Sequence, residues 1–172
     1  MAETSLRSDC TRCAALCCMA FAFEISDDFA FDKAAETPCS NLDARGQCRI
    51  HEDLDGKGFR GCMVYECHGA GQRVTQELFG GRSWQDDGSL VTPMSVAFGK
   101  MRRLHDLLVL LEAAAKLPLS DLDERVRVAH VGRVEVYAGE LPSDATLDEV
   151  ADRVRAFLMS LRPYAGSLKN VP

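Results

Sequence analysis

A chain of 172 residues with 47% hydrophobic and 27% charged side chains is a globular sequence with enough length for a buried core. Its net charge of −6 is uneven: residues 1–92 hold nine Lys/Arg against fifteen Asp/Glu, and residues 93–172 hold eleven of each. The acidic front has no basic patch with interleaved aromatics, which argues against a nucleic-acid partner. No apolar run approaches the roughly 18–20 residues that cross a bilayer, which argues against a membrane one.

Residues 1–9 carry no basic stretch followed by an apolar one, so no signal peptide is visible and a cytoplasmic location is expected. Four cysteines follow within nine residues: Cys10, Cys13, Cys17 and Cys18. Asp9 is a candidate cap for a helix from Cys10 to Met19, whose Ala14, Ala15 and Leu16 are good helix formers. At about 100° per residue such a helix puts Cys10, Cys13 and Cys17 on one face and turns Cys18 away. A knuckle turn at Cys10–Cys13 is the alternative.

Residues 21–25 alternate as a strand does, residues 26–28 turn, and residues 29–31 read as the return strand. Phe21, Phe23, Phe29 and Phe31 are expected to be core, with shielding of a metal site as the second reading. Cys39 follows an extended Thr37-Pro38, and residues 47–51, containing Cys48, read as a short strand. The acidic run 52–58 lacks the ligand series of a calcium loop and reads as a solvated turn. Residues 61–67, carrying Cys62 and Cys67, read as a strand ending in a turn. Gly69-Ala70-Gly71 is a weak phosphate-loop signal and reads as a tight turn into a helix over 73–79, ended by Gly80-Gly81. Trp84 is expected as a packing anchor.

From residue 93 onward the pattern turns helical. Thr92 is the expected cap and Pro93 lies in the first turn of a helix whose stripe is Ala97, Met101, Leu104, Leu108 and Leu111. His105, among Arg102, Arg103 and Asp106, is expected to be solvated. Residues 121–137 fit a helix or a strand, and helix is favoured, with Leu122, Val126, Ala129 and Val136 on its apolar side. Residues 146–149 form a capping box before a helix with Leu147, Val150, Val154, Phe157, Leu158 and Leu161 on one face. The fold class expected is α+β. A small irregular front region with short strands, residues 1–92, is held by cysteine–metal bonds; an all-α extension, residues 93–172, follows.

All eight cysteines (Cys10, Cys13, Cys17, Cys18, Cys39, Cys48, Cys62 and Cys67) lie in the front part. In a reducing compartment soft thiolates select zinc, Cu(I) or iron–sulfur clusters, and the short spacings 10–13, 13–17 and 62–67 suit ligand pairs. Eight sulfurs allow two four-thiolate zinc sites, one binuclear cluster, or one iron–sulfur cluster with four thiols to spare. His51 and His68 follow cysteines closely and are secondary ligand candidates. Nucleophilic catalysis needs one activated cysteine and a base rather than eight sulfurs, and no catalytic residues are identified.

In the order and count of its cysteines, with Pro38-Cys39 and Gln47-Cys48-Arg49-Ile50-His51, the stretch 10–70 resembles the bacterial eight-cysteine CxxCxxCC family, the YkgJ-type cysteine cluster proteins. It departs from that pattern with three residues between Cys13 and Cys17 and with Leu16 where a glycine often stands. The resemblance implies a zinc- or iron-chelating domain. Segments from Phe29 to Trp84 also resemble the N-terminal region of some actinobacterial pentapeptide-repeat proteins, though no five-residue repeat is present. The function expected is metal binding, structural or chelating, in metal handling or in association with a protein partner of unknown kind. An iron–sulfur redox or sensor protein is the first alternative and a thiol-based enzyme the second.

Overall fold

The structure is a computed structural model and describes residues 5–167. The chain forms two compact units, Met1–Gly99 and Lys100–Pro172, with the division falling inside one long helix.

The first unit contains a 3-10 turn at Cys10–Arg12 and three short helices: α1 (Leu16–Ala20), α2 (Arg60–Val64) and α3 (Ala70–Arg73). Helix α3 continues into a π-turn at Val74–Leu78, which ends at Gly80 and Gly81, both left-handed. Helix α4 (Val91–Ala114) then begins. The buried core combines Leu16, Met19, Phe59, Ala70, Val74, Trp84, Met94 and Phe98. Phe21 packs at 5.4 Å against both Tyr65 and Phe98.

The expected α+β class is overturned: the described residues are helical, with no strand and no sheet. Segments 21–25 and 29–31 do fold back on each other, but only through isolated bridges at Phe23–Lys33 and Ser26–Phe29. Between these bridges lie two residues on one side and three on the other, a bulge that breaks the ladder. Asp32 then takes the Ile25 amide with its carboxylate at 2.6 Å, so a side chain occupies a place the backbone partner would hold. Around Cys48 a single Leu42–Cys48 bridge leads into a 3-10 turn at His51–Asp53. Residues 61–64, expected as strand, are in helix α2.

The cysteine-rich helix is also corrected. Ala15 adopts φ 51° in the left-handed region, so the run 10–19 is a 3-10 turn and a separate α1 rather than one helix. The face that was to join Cys10, Cys13 and Cys17 does not exist. The helix expected over 73–79 starts earlier, at Ala70.

In α4, Met94, Ala97, Phe98, Met101, Leu104, Leu108 and Leu111 recur at the spacing of one helix face. The helix follows directly on a 3-10 turn, Gly88–Leu90, capped by Asp87, whose carboxylate accepts from the Ser89 amide at 3.0 Å. Thr92, the expected cap, instead donates its hydroxyl to Glu36 at 2.8 Å. His105 is fully buried, contrary to the solvated reading, because it falls on the same stripe as Met101 and Leu108.

In the second unit, α5 (Asp121–Gly139) and α6 (Asp144–Ser160) follow, and the short α7 (Arg162–Ser167) closes the described chain. Residues 121–137 are thus helical. Val134 and Ala138 are buried, while Leu122, Val126, Ala129 and Val136, expected inward, are all exposed. Arg127 of α5 reaches the Leu111 carbonyl at 3.3 Å, and Tyr164 donates to Asp123 at 2.5 Å. Leu147, Val150, Val154 and Phe157 line the buried face of α6 and Leu161 is buried just after it, as the spacing predicts, while Leu158 is only half-buried.

The cap of α6 is Ser143 rather than Thr146: the Ser143 hydroxyl accepts from the Thr146 amide at 3.2 Å. Ser143→Ala therefore lowers stability by about 1 kcal/mol, whereas Thr146→Ala costs only a few tenths, on the order expected for a helix-interior polar residue. Urea midpoints of the two variants check this; equal costs would return the cap to Thr146.

Candidate functional site

The cysteine-bearing segment 5–20 is held by side chains from much later in the sequence. Gln72 spans two peptide groups, accepting from the Asp9 amide at 2.7 Å and donating to the Arg7 carbonyl at 2.9 Å. Gln76 donates to the Arg12 carbonyl at 2.8 Å. At Ala14 both backbone groups are taken: the amide donates to the Thr75 hydroxyl at 3.0 Å, and the carbonyl accepts from Trp84 Nε1 at 2.5 Å. These bonds are buried, where leaving either group unpaired would cost about 1–3 kcal/mol.

This anchoring brings Cys10 and Cys13 toward Cys67. Ser8 Oγ lies 3.0 Å from Cys67 Sγ, bonds the Glu66 carboxylate, and accepts from the Gly69 amide at 3.3 Å. Asp9, as expected, caps the turn that holds Cys10, its carboxylate accepting from the Thr11 amide at 3.0 Å. Gly71 explains part of the Gly-x-Gly signal: a Cβ there would stand 2.6 Å from Cys13 Sγ, so only glycine admits the sulfur so close to α3. Gly69 supplies the left-handed turn before it, at φ 79°.

A second group forms beyond Ala15. Cys17 and Cys18 on α1 have their sulfurs 3.8 Å apart. The Cys39 amide donates to the Cys18 carbonyl at 3.0 Å, and a turn closed by the Leu42–Cys48 bridge returns Cys48 toward Cys39. Cys62 lies on α2, which is docked by the Gly61 amide on the Asp28 carbonyl at 3.1 Å and by Gly61 against the Phe29 ring. Phe23, Phe29, Phe31 and Phe59 pack at centroid distances from 4.4 to 6.3 Å, Phe23 stacked on Phe29 and the others tilted or edge-on, a cluster that steadies this loop.

Lys33, which no local sequence pattern singles out, is only 6% exposed. Its ammonium donates to the carbonyls of Met19 and Ala34, each at 3.1 Å, and to that of Phe21, and it lies 5.7 Å from the Phe23 ring centroid. It therefore secures the end of α1, the helix that carries Cys17 and Cys18. Burial lowers its pKa, while the charges of Cys39, Cys18, Cys17 and Cys62 oppose that shift.

The thiols act on one another. Burial, then the charges of Cys17 and Cys67, push Cys10 up. Burial drives Cys13 up to about 12, with Cys17, Cys67 and Cys10 adding to it against the Leu16 amide. Cys17 is raised by its contact with Cys18 and by burial. Burial raises Cys48, with Cys39 and Cys17 adding, and raises Cys62 to about 11, with Cys17, Cys39 and Cys48 adding.

All eight cysteines are free; Cys10 and Cys62 are exposed and the other six are half-buried. Among the described residues, no three His, Cys, Asp or Glu side chains are placed closely enough to hold one metal ion. His51 is exposed in its 3-10 turn, and His68 occupies a left-handed position at φ 51° next to Cys67. No helix among the described residues is long and apolar enough to cross a membrane.

No protein-family profile matches the chain, and no solved structure matches it. An uncharacterized protein of Bacillus subtilis (strain 168), YybG, is 44% identical over 115 residues, which is 67% of this chain and 41% of the relative. The chain therefore spans less than half the length of that relative.

Two outcomes follow from the geometry. Lys33→Met strands three carbonyls and destabilises the protein by about 2 kcal/mol or more, measured by urea unfolding; a variant of wild-type stability would mean the ammonium is dispensable to α1. The raised Cys13 thiol has a signed effect of its own. Its stabilising contribution to the metal-free protein is complete below the ordinary thiol value of 9 and is lost as pH climbs toward about 12. Urea midpoints fall over that range, and the fall is shallower in Cys13→Ala.

Proposed function

We propose that the protein binds zinc or iron through its eight cysteines, in a structural or chelating site that works in the reducing cytoplasm. The observation that carries this reading is the gathering of all eight free thiols in one compact unit. Hydrogen bonds tie their segments together there, the Cys39 amide on the Cys18 carbonyl and Ser8 Oγ beside Cys67 Sγ among them, and the Cys17 and Cys18 sulfurs lie 3.8 Å apart. Soft sulfur donors in this number suit zinc, iron or an iron–sulfur cluster. All eight remain free thiols, the form from which such ligands are made.

The first unit also needs what a metal would contribute. It has short helices, isolated bridges and many backbone groups satisfied by side chains rather than by a ladder. A bound ion would replace the mutual repulsion of thiolates with coordinate bonds and so contribute folding free energy. The buried Lys33 ammonium, fixed at the end of the helix that carries Cys17 and Cys18, supplies a positive charge that would partly balance an anionic thiolate centre. The resemblance to the eight-cysteine chelating family points the same way.

Anaerobic purification followed by metal analysis and absorption spectroscopy tests the proposal. Colourless protein with about two zinc per chain, losing thermal stability on chelation, is the expected result. Visible charge-transfer bands with iron and acid-labile sulfide would install the iron–sulfur alternative. Metal-free protein that folds normally and cycles a disulfide would sink the metal reading and leave thiol chemistry.

A further inference from the structure

We propose that the outward face of α5 docks a helix of another protein, one whose apolar stripe carries two acidic residues. The proposal goes beyond the metal-binding reading and does not depend on it, because the second unit contains no cysteine.

Helix α5 places little of its apolar surface in its own core, where only Val134 and Ala138 are buried. On or beside that inner side stand Arg127, bonded to the Leu111 carbonyl, and His130, whose ring lies 5.1 Å from that of Phe157. At about 100° per residue, Leu122, Val126, Ala129 and Val136 fall on the opposite side. All four are exposed, Leu122 by 63% and Val136 by 70%. With Arg133 they form a row at positions 122, 126, 129, 133 and 136, the alternating four-three spacing at which one helix seats its side chains on another. A single exposed valine calls for no explanation, but a row of apolar side chains along four turns does.

Charge decides what covers the row. Between Leu122 and Val136 the charged side chains on this face are Arg125 and Arg133. Both are exposed, and neither forms an ion pair among the described residues. They stand about 12 Å apart along the helix axis. A second copy of the same face is a poor occupant: antiparallel helices crossing at Ala129 set Arg125 against Arg133 twice, and parallel ones set each arginine against its own counterpart. A partner helix with carboxylates at the same separation meets both cations and leaves no charge opposed.

Gly132 is an independent observation on the same face. It lies inside a 19-residue helix, where glycine is among the least favourable residues. Its φ is not positive, and a Cβ built there meets nothing within 4 Å. Nothing within the chain asks for glycine at this position. A backbone approaching from outside does, because Gly132 and Ala129 together leave a shallow seat between Arg125 and Arg133.

The test titrates the full chain with a labelled synthetic helical peptide, followed by fluorescence anisotropy. The peptide carries a leucine and alanine stripe at four-three spacing and two glutamates separated as Arg125 and Arg133 are. Saturable binding is expected, weakened about tenfold or more when the glutamates become lysines. Arg125→Glu combined with Arg133→Glu reverses that preference. Gly132→Ala raises the urea midpoint of the free protein and yet weakens peptide binding, a combination that a purely structural glycine does not give. Equal affinity for the two peptides, no saturation by about 1 mM, or a preference untouched by the charge reversal overturns the proposal. So does a dimer in sedimentation that Leu122→Glu with Val136→Glu dissolves, which would put a second copy on the face. Binding to phosphatidylserine vesicles that the same double variant abolishes would put a lipid surface there instead, and equally overturns it.

Discussion

The first unit depends on one peptide group. Ala14 sits where a cysteine-rich, helix-prone run would otherwise continue, and it is held on both sides by buried hydrogen bonds from Thr75 and Trp84. Thr75 Oγ1 also donates to the Gly71 carbonyl at 2.9 Å, so the clamp is braced within α3 and its π-turn. With Ala14 fixed, Ala15 takes a left-handed conformation costing roughly 1–2 kcal/mol for a residue with a Cβ. Two buried hydrogen bonds, each worth on the order of 1 kcal/mol net and more if left broken, are enough to hold it there. On the N-terminal side residues 7–9 are tied to Gln72 and to the turn that carries Cys67, and on the C-terminal side Cys18 is tied to Cys39.

The same clamp marks the limit of what the sequence could reveal. Ala14-Ala15-Leu16 has high helix propensity, and the groups that override it lie 61 and 70 positions downstream. Local pattern carries no trace of them. The strands failed for a related reason: alternation at 21–25 is real, but the extra residue before Lys33 and the Asp32 carboxylate end the pairing after isolated bridges. By contrast, the helical part was legible because its stripes repeat over several turns. The faces of α4 and α6 follow from spacing, and only their starts differ: α4 continues from the 3-10 turn that Asp87 caps, and Ser143 caps α6. His105 has charged sequence neighbours that suggest solvent, but its place on the stripe buries it.

For the site, chemistry was legible and geometry was not. The number and types of side chains identified the cysteines as the residues of interest, and nothing in the sequence distinguished Lys33 from any other lysine. Its role depends on three carbonyls at the end of α1 and at Ala34, which only the fold brings together. Gly71 was noticed as part of a Gly-x-Gly pattern, but its use is steric: the missing side chain is where Cys13 Sγ comes close.

The span of the clamp has a consequence during synthesis. A chain made from its N-terminus produces Cys10–Cys18 long before Gln72, Thr75 and Trp84, and contacts of such separation cannot close until the later residue has left the ribosome. For the time taken to translate some seventy residues, on the order of several seconds at the usual elongation rate, the first four thiols are unsheltered. They meet whatever oxidants, metals and carrier proteins surround the nascent chain before their final neighbours exist. The order of the sequence therefore places the most vulnerable chemistry first and its shelter last.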